Sequence, residues 1–175
     1  MPAIAAAPAS KASPTPLERE AMTLYRAAEY SRVIDLIQHP PTGQEPGADA
    51  IRYAILSYVK TGKPEEGWKL YPRITAGDRP DDRELLREVA RGFIISRVRD
   101  SQEHIRIAAY TALAEMGEGD TLPLLEDGLL DSSALVRARA AEAIGRSGLA
   151  GRSAALKRAL RDEAPGVRIA AINAL

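Results

Sequence analysis

A chain of 175 residues with 45% hydrophobic and 27% charged side chains can bury one or two ordinary cores and has the composition of a folded globular protein. Lysine plus arginine number 24 and aspartate plus glutamate 24, so no global field draws the chain to nucleic acid or an anionic membrane, and any electrostatic function is local. Cysteine is absent, which excludes disulfide scaffolds, thiolate metal sites and cysteine nucleophiles, and no apolar run reaches the roughly 20 residues of a membrane-spanning helix.

The opening MPAIAAAPASKASPTP is rich in alanine, proline and serine and too poor in large apolar groups to repay the entropy of ordering. Residues 1–16 are therefore expected to be a disordered lead. It lacks the basic start and long apolar middle of a secretory signal, which gives a cytoplasmic reading; export with the signal already removed is the alternative.

Helical patterning begins at Leu17, with Pro16 suited to a first-turn position where its missing N–H costs nothing. Ala21, Leu24, Ala28, Val33 and Ile37 slide onto Ile55, Tyr58, Gly62, Gly67 and Tyr71 at a constant offset of 34, and Pro46 slides onto Pro80. Residues 17–80 thus resemble the tetratricopeptide repeat, a 34-residue helical hairpin, with two departures: Pro64 stands where the first copy has Tyr30, and the loop HPPTGQEPGAD is unusually rich in proline and glycine. A generic bundle of four short helices is the alternative. Tyr25, Tyr30, Tyr53, Tyr58 and Tyr71 fall at helical spacing here and are expected in the core.

From residue 81 a second period takes over. DSQEHIRIAAYTALAEMG, DSSALVRARAAEAIGRSG and DEAPGVRIAAINAL begin at Asp100, Asp131 and Asp162, successive offsets of 31. Ile105, Ala109, Ala112 and Leu113 make one helix face, repeated by Val136, Ala140, Ala143 and Ile144 and by Val167, Ala171, Ala174 and Leu175. Between these helices Leu122, Leu125 and Leu129 make a second stripe, echoed by Leu156 and Leu160, so each unit is a helical hairpin. Gly117 and Gly148 stand where a helix takes a left-handed stop. Upstream, Phe93, Ile94 and Val98 precede Asp100 much as Leu124, Leu125 and Leu129 precede Asp131, which makes residues 81–100 the second helix of an irregular earlier unit.

A hairpin this small cannot bury both stripes alone, so the units are expected to stack into an all-α solenoid. The pattern of aspartate, Val-Arg, paired alanines and glycine resembles the short HEAT-like repeat of bilin-lyase-type proteins, over Asp100 to Leu175 and extending back to residue 81. The last repeat is incomplete. Such repeats occur in scaffolds, chromophore lyases, nucleic-acid-repair enzymes and metal-dependent hydroxylases, so the resemblance implies a fold and leaves function to the sites.

Arg106, Arg137 and Arg168 each follow an aspartate by six residues. They are read as a structural ladder with Asp100, Asp131 and Asp162, pairing within a unit or with a neighbouring unit's aspartate; an anion-binding row is the alternative. His39 and His104 are too isolated for a metal centre, even with Glu103 beside the latter, and no phosphate-binding glycine loop or nucleophile elbow is present. No cofactor is expected.

Charge is unevenly divided. Glu103 to Asp131 holds seven acidic residues and one arginine, whereas Arg137 to Arg161 holds seven basic residues and one glutamate. Glu126 and Asp127 align with Lys157 and Arg158, so Glu126, Asp127, Lys157, Arg158 and Arg161 are the candidate partner-binding groove, with a surface ion-pair ladder as the alternative. The stripe of Val167, Ala171 and Leu175 is expected to lack cover, as in a fragment of a longer repeat protein or at a contact with another chain.

Together these features predict a protein-interaction scaffold or adaptor that binds another protein or peptide, without catalytic chemistry and without membrane insertion. Two rivals stay open: a bilin-lyase-like enzyme holding a tetrapyrrole through Arg152, Arg158 or Arg161, and a nucleic-acid-binding module using the basic stretch, which the acidic neighbouring unit opposes.

Overall fold

The structure is a computed structural model describing residues 13–75, 82–116 and 121–175. Among the described residues all regular structure is helical: α1 (Pro16–Arg26), α2 (Tyr30–Gln38), α3 (Ala48–Lys60), α4 (Pro64–Trp68), α5 (Tyr71–Thr75), α6 (Arg83–Ser96), α7 (Glu103–Met116), α8 (Leu122–Gly128), α9 (Ala134–Arg146), a 3-10 turn (Ala150–Arg152), α10 (Ala154–Ala159) and α11 (Pro165–Ala174). The chain divides into two compact units, residues 1–89 and 90–175, the division falling within α6.

In the first unit Thr15 starts α1 as a capping box: its hydroxyl accepts from the Glu18 amide at 3.2 Å while its own amide donates to the Glu18 carboxylate at 2.8 Å. Thr15 and Pro16 thus belong to the first helix, and the expected lead is shorter by these two residues; residues 1–12 lie outside the described residues. Helix α3 is central. It packs against α1, α2, α4 and α5 and is buried on most sides through Ile51, Ala54, Ile55, Leu56 and Tyr58. Gly67 lets α4 approach closely, since a Cβ there would stand 3.1 Å from the Ile55 carbonyl oxygen.

The 34-residue offset has a backbone counterpart. Ala28 (φ 58°) and Gly62 (φ 74°) both adopt the left-handed conformation. After each, the next amide reaches back five residues, Glu29 to the Leu24 carbonyl at 2.9 Å and Lys63 to the Tyr58 carbonyl at 2.8 Å, the bond that closes a helix with a left-handed stop. Pro64, out of pattern with Tyr30 by type, occupies the first turn of α4 as Tyr30 occupies that of α2, and a first-turn residue needs no N–H. Pro80 lies outside the described residues.

The tyrosines correct one expectation. Tyr58 and Tyr71 are core residues, but Tyr25, Tyr30 and Tyr53 form a half-buried cluster, with Tyr25 centred 5.4 Å from each of the other two rings. Their hydroxyls need water or a partner, which draws the rings to the rim. Burial, followed by Tyr30 and Glu88, pushes the Tyr25 phenol up to about 12.

The second unit stacks its helices in register. Helix α9 packs on α7, α11 packs on α9, and the short helices α8 and α10 complete the hairpins. Val136, Ala140, Ala143 and Ile144 are all fully buried, as are Leu113, Leu125, Leu156 and Val167. Alanine permits this close packing, and glycine more so: a Cβ on Gly145 would lie 2.8 Å from the Ala174 Cα. Gly148 (φ 71°) ends α9 with the same closure, Leu149 donating to the Ile144 carbonyl at 3.2 Å. Its expected counterpart Gly117 lies outside the described residues.

At α11 the expected lack of cover holds for Leu175 and fails for Val167 and Ala171. Val167 and Ala171 are fully buried because they face α9 and α10 within the stack, while Ile169, Ile172 and Leu175 are 58%, 62% and 56% exposed.

Candidate partner-binding surface of the second unit

The loop before each long helix begins with an aspartate that closes an Asx turn: Asp100, Asp131 and Asp162 accept from the amides of Gln102, Ser133 and Ala164 at 2.9, 2.8 and 2.9 Å. Six residues on, the arginine folds back over that loop. Arg106 Nη1 donates to the carbonyls of Asp100 (2.9 Å) and Ser101 (3.2 Å), and Arg137 Nη1 to those of Asp131 (3.0 Å) and Ser132 (3.2 Å). The free edge of each guanidinium then grips the next repeat's aspartate with two bonds: Arg106 to Asp131 at 2.8 and 2.9 Å, Arg137 to Asp162 at 2.9 and 2.9 Å. Only a planar fork of five donors makes all four bonds at once.

The Asp131 and Asp162 carboxylates are held below their ordinary range. Burial alone would raise Asp131, but the Arg106 guanidinium and the Ser133 amide outweigh it; at Asp162 the hydrogen bond from Arg137 is the largest influence and lowers it directly. Arg137 is 8% exposed and fully engaged, so it is unavailable to an outside anion.

Above the first ladder pair opens a cleft of about 430 Å³, lined among others by Val98, Arg99, Tyr110, Asp127 and Leu130. Arg99 and Asp127 meet across it at 3.3 Å with both side chains largely exposed, and Leu130 is 81% exposed. Tyr110, 2% exposed, is set there because Gly128 has no side chain: a Cβ would stand 2.6 Å from the ring. Burial raises the Tyr110 phenol, helped by Asp131 and Asp127.

The residues expected to form an ion-pair ladder find other partners. Glu126 accepts from the Ser153 hydroxyl at 2.6 Å, and Ser153 also caps α10 by accepting from the Leu156 amide at 3.0 Å. Asp127 is taken by Arg99. Among the described residues Lys157, Arg158 and Arg161 are exposed and form no ion pair. Residues one repeat apart occupy equal places on stacked helices about 8–10 Å apart, a gap that long outward side chains can span, as Arg146 does to Glu115. At Glu126 and Asp127 the bonds instead link residues offset from that alignment, Ser153 with Glu126 and Arg99 with Asp127.

An aspartate–arginine ladder joining alanine-faced hairpins at a 31-residue period decides the architecture. Residues 77–145 match the family model of HEAT repeats. The helical hairpins of the second unit are consistent with a HEAT-like repeat protein, and stacked repeats of this kind make an α-solenoid. The match covers about two-fifths of the sequence. A search of curated proteins found no match. HEAT repeats are in general protein-interaction scaffolds and typically not enzymes. No described helix is long and apolar enough to cross a membrane.

Other sequence candidates fall apart in space. His39 contacts Asp35 at 3.0 Å on an exposed helix end, His104 and Glu103 are exposed, and no cluster of three metal-ligating side chains occurs among the described residues. Of the basic stretch, Arg139 pairs with Glu142 at 2.6 Å and Arg146 with Glu115 at 3.2 Å, leaving Arg152, Lys157, Arg158 and Arg161 outward. Sequence reasoning missed Arg99 and Leu130. Their signal was the 31-residue register itself, which places Leu130 opposite Arg161 and Asp127 opposite Arg158.

Proposed function

We propose that this chain is a protein-interaction scaffold whose second unit binds an extended segment of a partner protein along the cleft and the basic positions one repeat further on. The observation that carries this reading is the open cleft with the largely exposed Leu130 at its edge and the exposed Arg99 and Asp127 across it. A single large apolar side chain ringed by polar groups is a suitable anchor, since burying it adds affinity while the charges set register. Arg158 and Arg161, one repeat beyond Asp127 and Leu130, call for acidic residues in the same partner segment. The candidate groove of Glu126, Asp127, Lys157, Arg158 and Arg161 is thus kept, with Glu126 given a structural task and Leu130 and Arg99 added. The first unit, with matching left-handed stops 34 residues apart, is read as a tetratricopeptide-like pair of hairpins.

Selection of a displayed peptide library on the full chain tests this. Enriched peptides should place an apolar residue near a run of acids, and Leu130→Glu or a joint Arg158→Glu and Arg161→Glu change should each weaken them at least about tenfold. Arg73→Glu, on the first unit, should leave binding unchanged. Failure to enrich any sequence, or binding indifferent to the second-unit variants, would refute the assignment.

A further inference from the structure

The Tyr110 corner of the cleft occurs once in the array. One repeat on, the register replaces Tyr110 by Ala141, Gly128 by Ala159 and Asp127 by Arg158. Residues that serve stacking return in every repeat, as the ladder aspartates and arginines do, so a set that does not return has a task of its own. The repeat that follows is in place, with α9 packed on α7 and α11 on α9, and the cleft stays open.

Tyr110 is 2% exposed, and the hydroxyl-bearing end of its ring lies against Gly128, where α8 ends and the chain runs on to Leu130. Among the described residues the hydroxyl has no hydrogen-bond partner, and it is not fully enclosed by protein. The ring lines the cleft, so the cleft is where the unused hydroxyl is met. A phenol buried this far without a bond in the free protein has one left to make with a guest.

The sign of that guest follows from the lining. Asp100, Asp127 and Asp131 line the cleft with Arg99 and Arg106, and Arg106 is wholly committed to Asp131 and to its own loop. What lies open is Arg99 with Asp127, side chains 83% and 56% exposed that meet at 3.3 Å. Asp131 and Asp127 raise the Tyr110 phenol and outweigh Arg99 and Arg106, so the potential at the hydroxyl is negative and the group stays protonated. Arg99 itself shows that a guanidinium fits at Asp127, and an exposed pair of this kind exchanges at little cost.

We propose that this corner is a pocket for a basic side chain, an arginine or lysine of the partner segment, which takes the Asp127 carboxylate from Arg99 and donates to the Tyr110 hydroxyl oxygen. Val98 and Leu130 flank its aliphatic stem. One repeat on the sign reverses, since Arg158 stands in the register of Asp127 and Arg161 in that of Leu130. Stacked helices lie about 8–10 Å apart and extended chain advances about 3.3 Å per residue, so the segment carries its basic residue about three positions from its acids. That the guest belongs to a peptide rests on the scaffold reading above; the preference for a cation does not.

The first probe is butylguanidinium, a bare side chain, titrated into the full chain at constant ionic strength beside sodium butyrate, with the tyrosine ring resonances followed and Tyr110→Phe used to assign the ring. A saturable shift at Tyr110 is expected from the cation and none from butyrate. Asp127→Asn should raise the half-saturation concentration at least about fivefold. Arg99→Gln should lower it about two- to fivefold, because it removes the internal competitor. Tyr110→Phe should keep the parent's Tm, having no bond to lose, which a purely structural hydroxyl would not allow. No saturable shift from the cation, an equal one from butyrate, or weaker binding in Arg99→Gln would each overturn the pocket.

The second probe is the displayed library selected on the full chain. Enriched peptides should carry arginine or lysine about three positions from their acids, and Asp127→Asn and Tyr110→Phe should each weaken them at least about threefold. Peptides that depend on Leu130 and lack a basic residue would leave the scaffold reading standing and overturn this pocket. Saturation by butylguanidinium without any enriched peptide would sink the scaffold reading and keep the pocket.

Discussion

Gly128 carries no side chain at the place where the Tyr110 ring lies. A Cβ would fall 2.6 Å from two ring carbons and 2.8 Å from the Ala140 Cβ, so the ring and the facing helix would both have to move. Gly128→Ala is therefore expected to destabilise the second unit by about 1–3 kcal/mol despite its better helix propensity. That corresponds to a fall in Tm of roughly 2–10 °C for a chain of this size. Adding Tyr110→Leu should recover part of the loss; thermal unfolding of the two single variants and the double variant measures the coupling. The Tyr110 ring that this glycine accommodates lines the cleft, so the effect of Gly128→Ala on peptide binding should follow its effect on stability.

Stacking of one element on the next is carried by apolar faces and the aspartate–arginine ladder together. Arg137→Lys keeps the charge but offers three donors on one atom, which cannot hold two loop carbonyls and both oxygens of Asp162 simultaneously. The variant should unfold at lower temperature than the parent, and amide exchange should rise first in α11, the helix tied by Asp162. An unchanged exchange pattern would mean that the alanine faces alone fix the stack. The sequence made these arginines legible as structural through their recurrence, since a residue present in every repeat serves the repeat. Which aspartate each one holds was not legible, because recurrence fits the own-loop aspartate six residues back and the next repeat's 25 residues ahead equally well, and only the stacked backbones bring the latter to 2.8–2.9 Å.

For the whole molecule, acid and alkali act on opposite groups. Asp82, Asp131 and Asp162 have lowered folded values, so the stability they contribute is complete above the unfolded aspartate range near 4 and is lost as pH falls through their folded values. Tyr25, pushed up to about 12, contributes in the other direction: its share is present below the ordinary tyrosine value and is lost as pH rises through about 12. Thermal unfolding across pH should show a plateau from about 5 to 9, flanked by these two declines. Asp162→Asn should make the acid decline shallower, and Tyr25→Phe should do the same for the alkaline one. If both variants keep the parent's pH profile, neither group governs it.

Periodicity is a property of the chain, and it determined the all-helical class, the two periods of 34 and 31 residues and the buried alanine faces of the second. Each follows from residue type at fixed spacing, because one helix face must be apolar wherever a neighbouring helix lies on it. Cover depends on which neighbour is present, and that is where tertiary structure decided. Val167 and Ala171 are buried while Ile169 and Ile172 are exposed, although all four belong to one short apolar helix whose low amphipathic contrast does not separate its faces. Glu126 and Asp127 stand beside each other in sequence yet turn to Ser153 and Arg99, partners 27 and 28 residues away on opposite sides of their helix. The cleft edged by Leu130 forms beside consecutive loops that the Arg106–Asp131 pair ties together, at a spacing set by helix packing that no local pattern encodes.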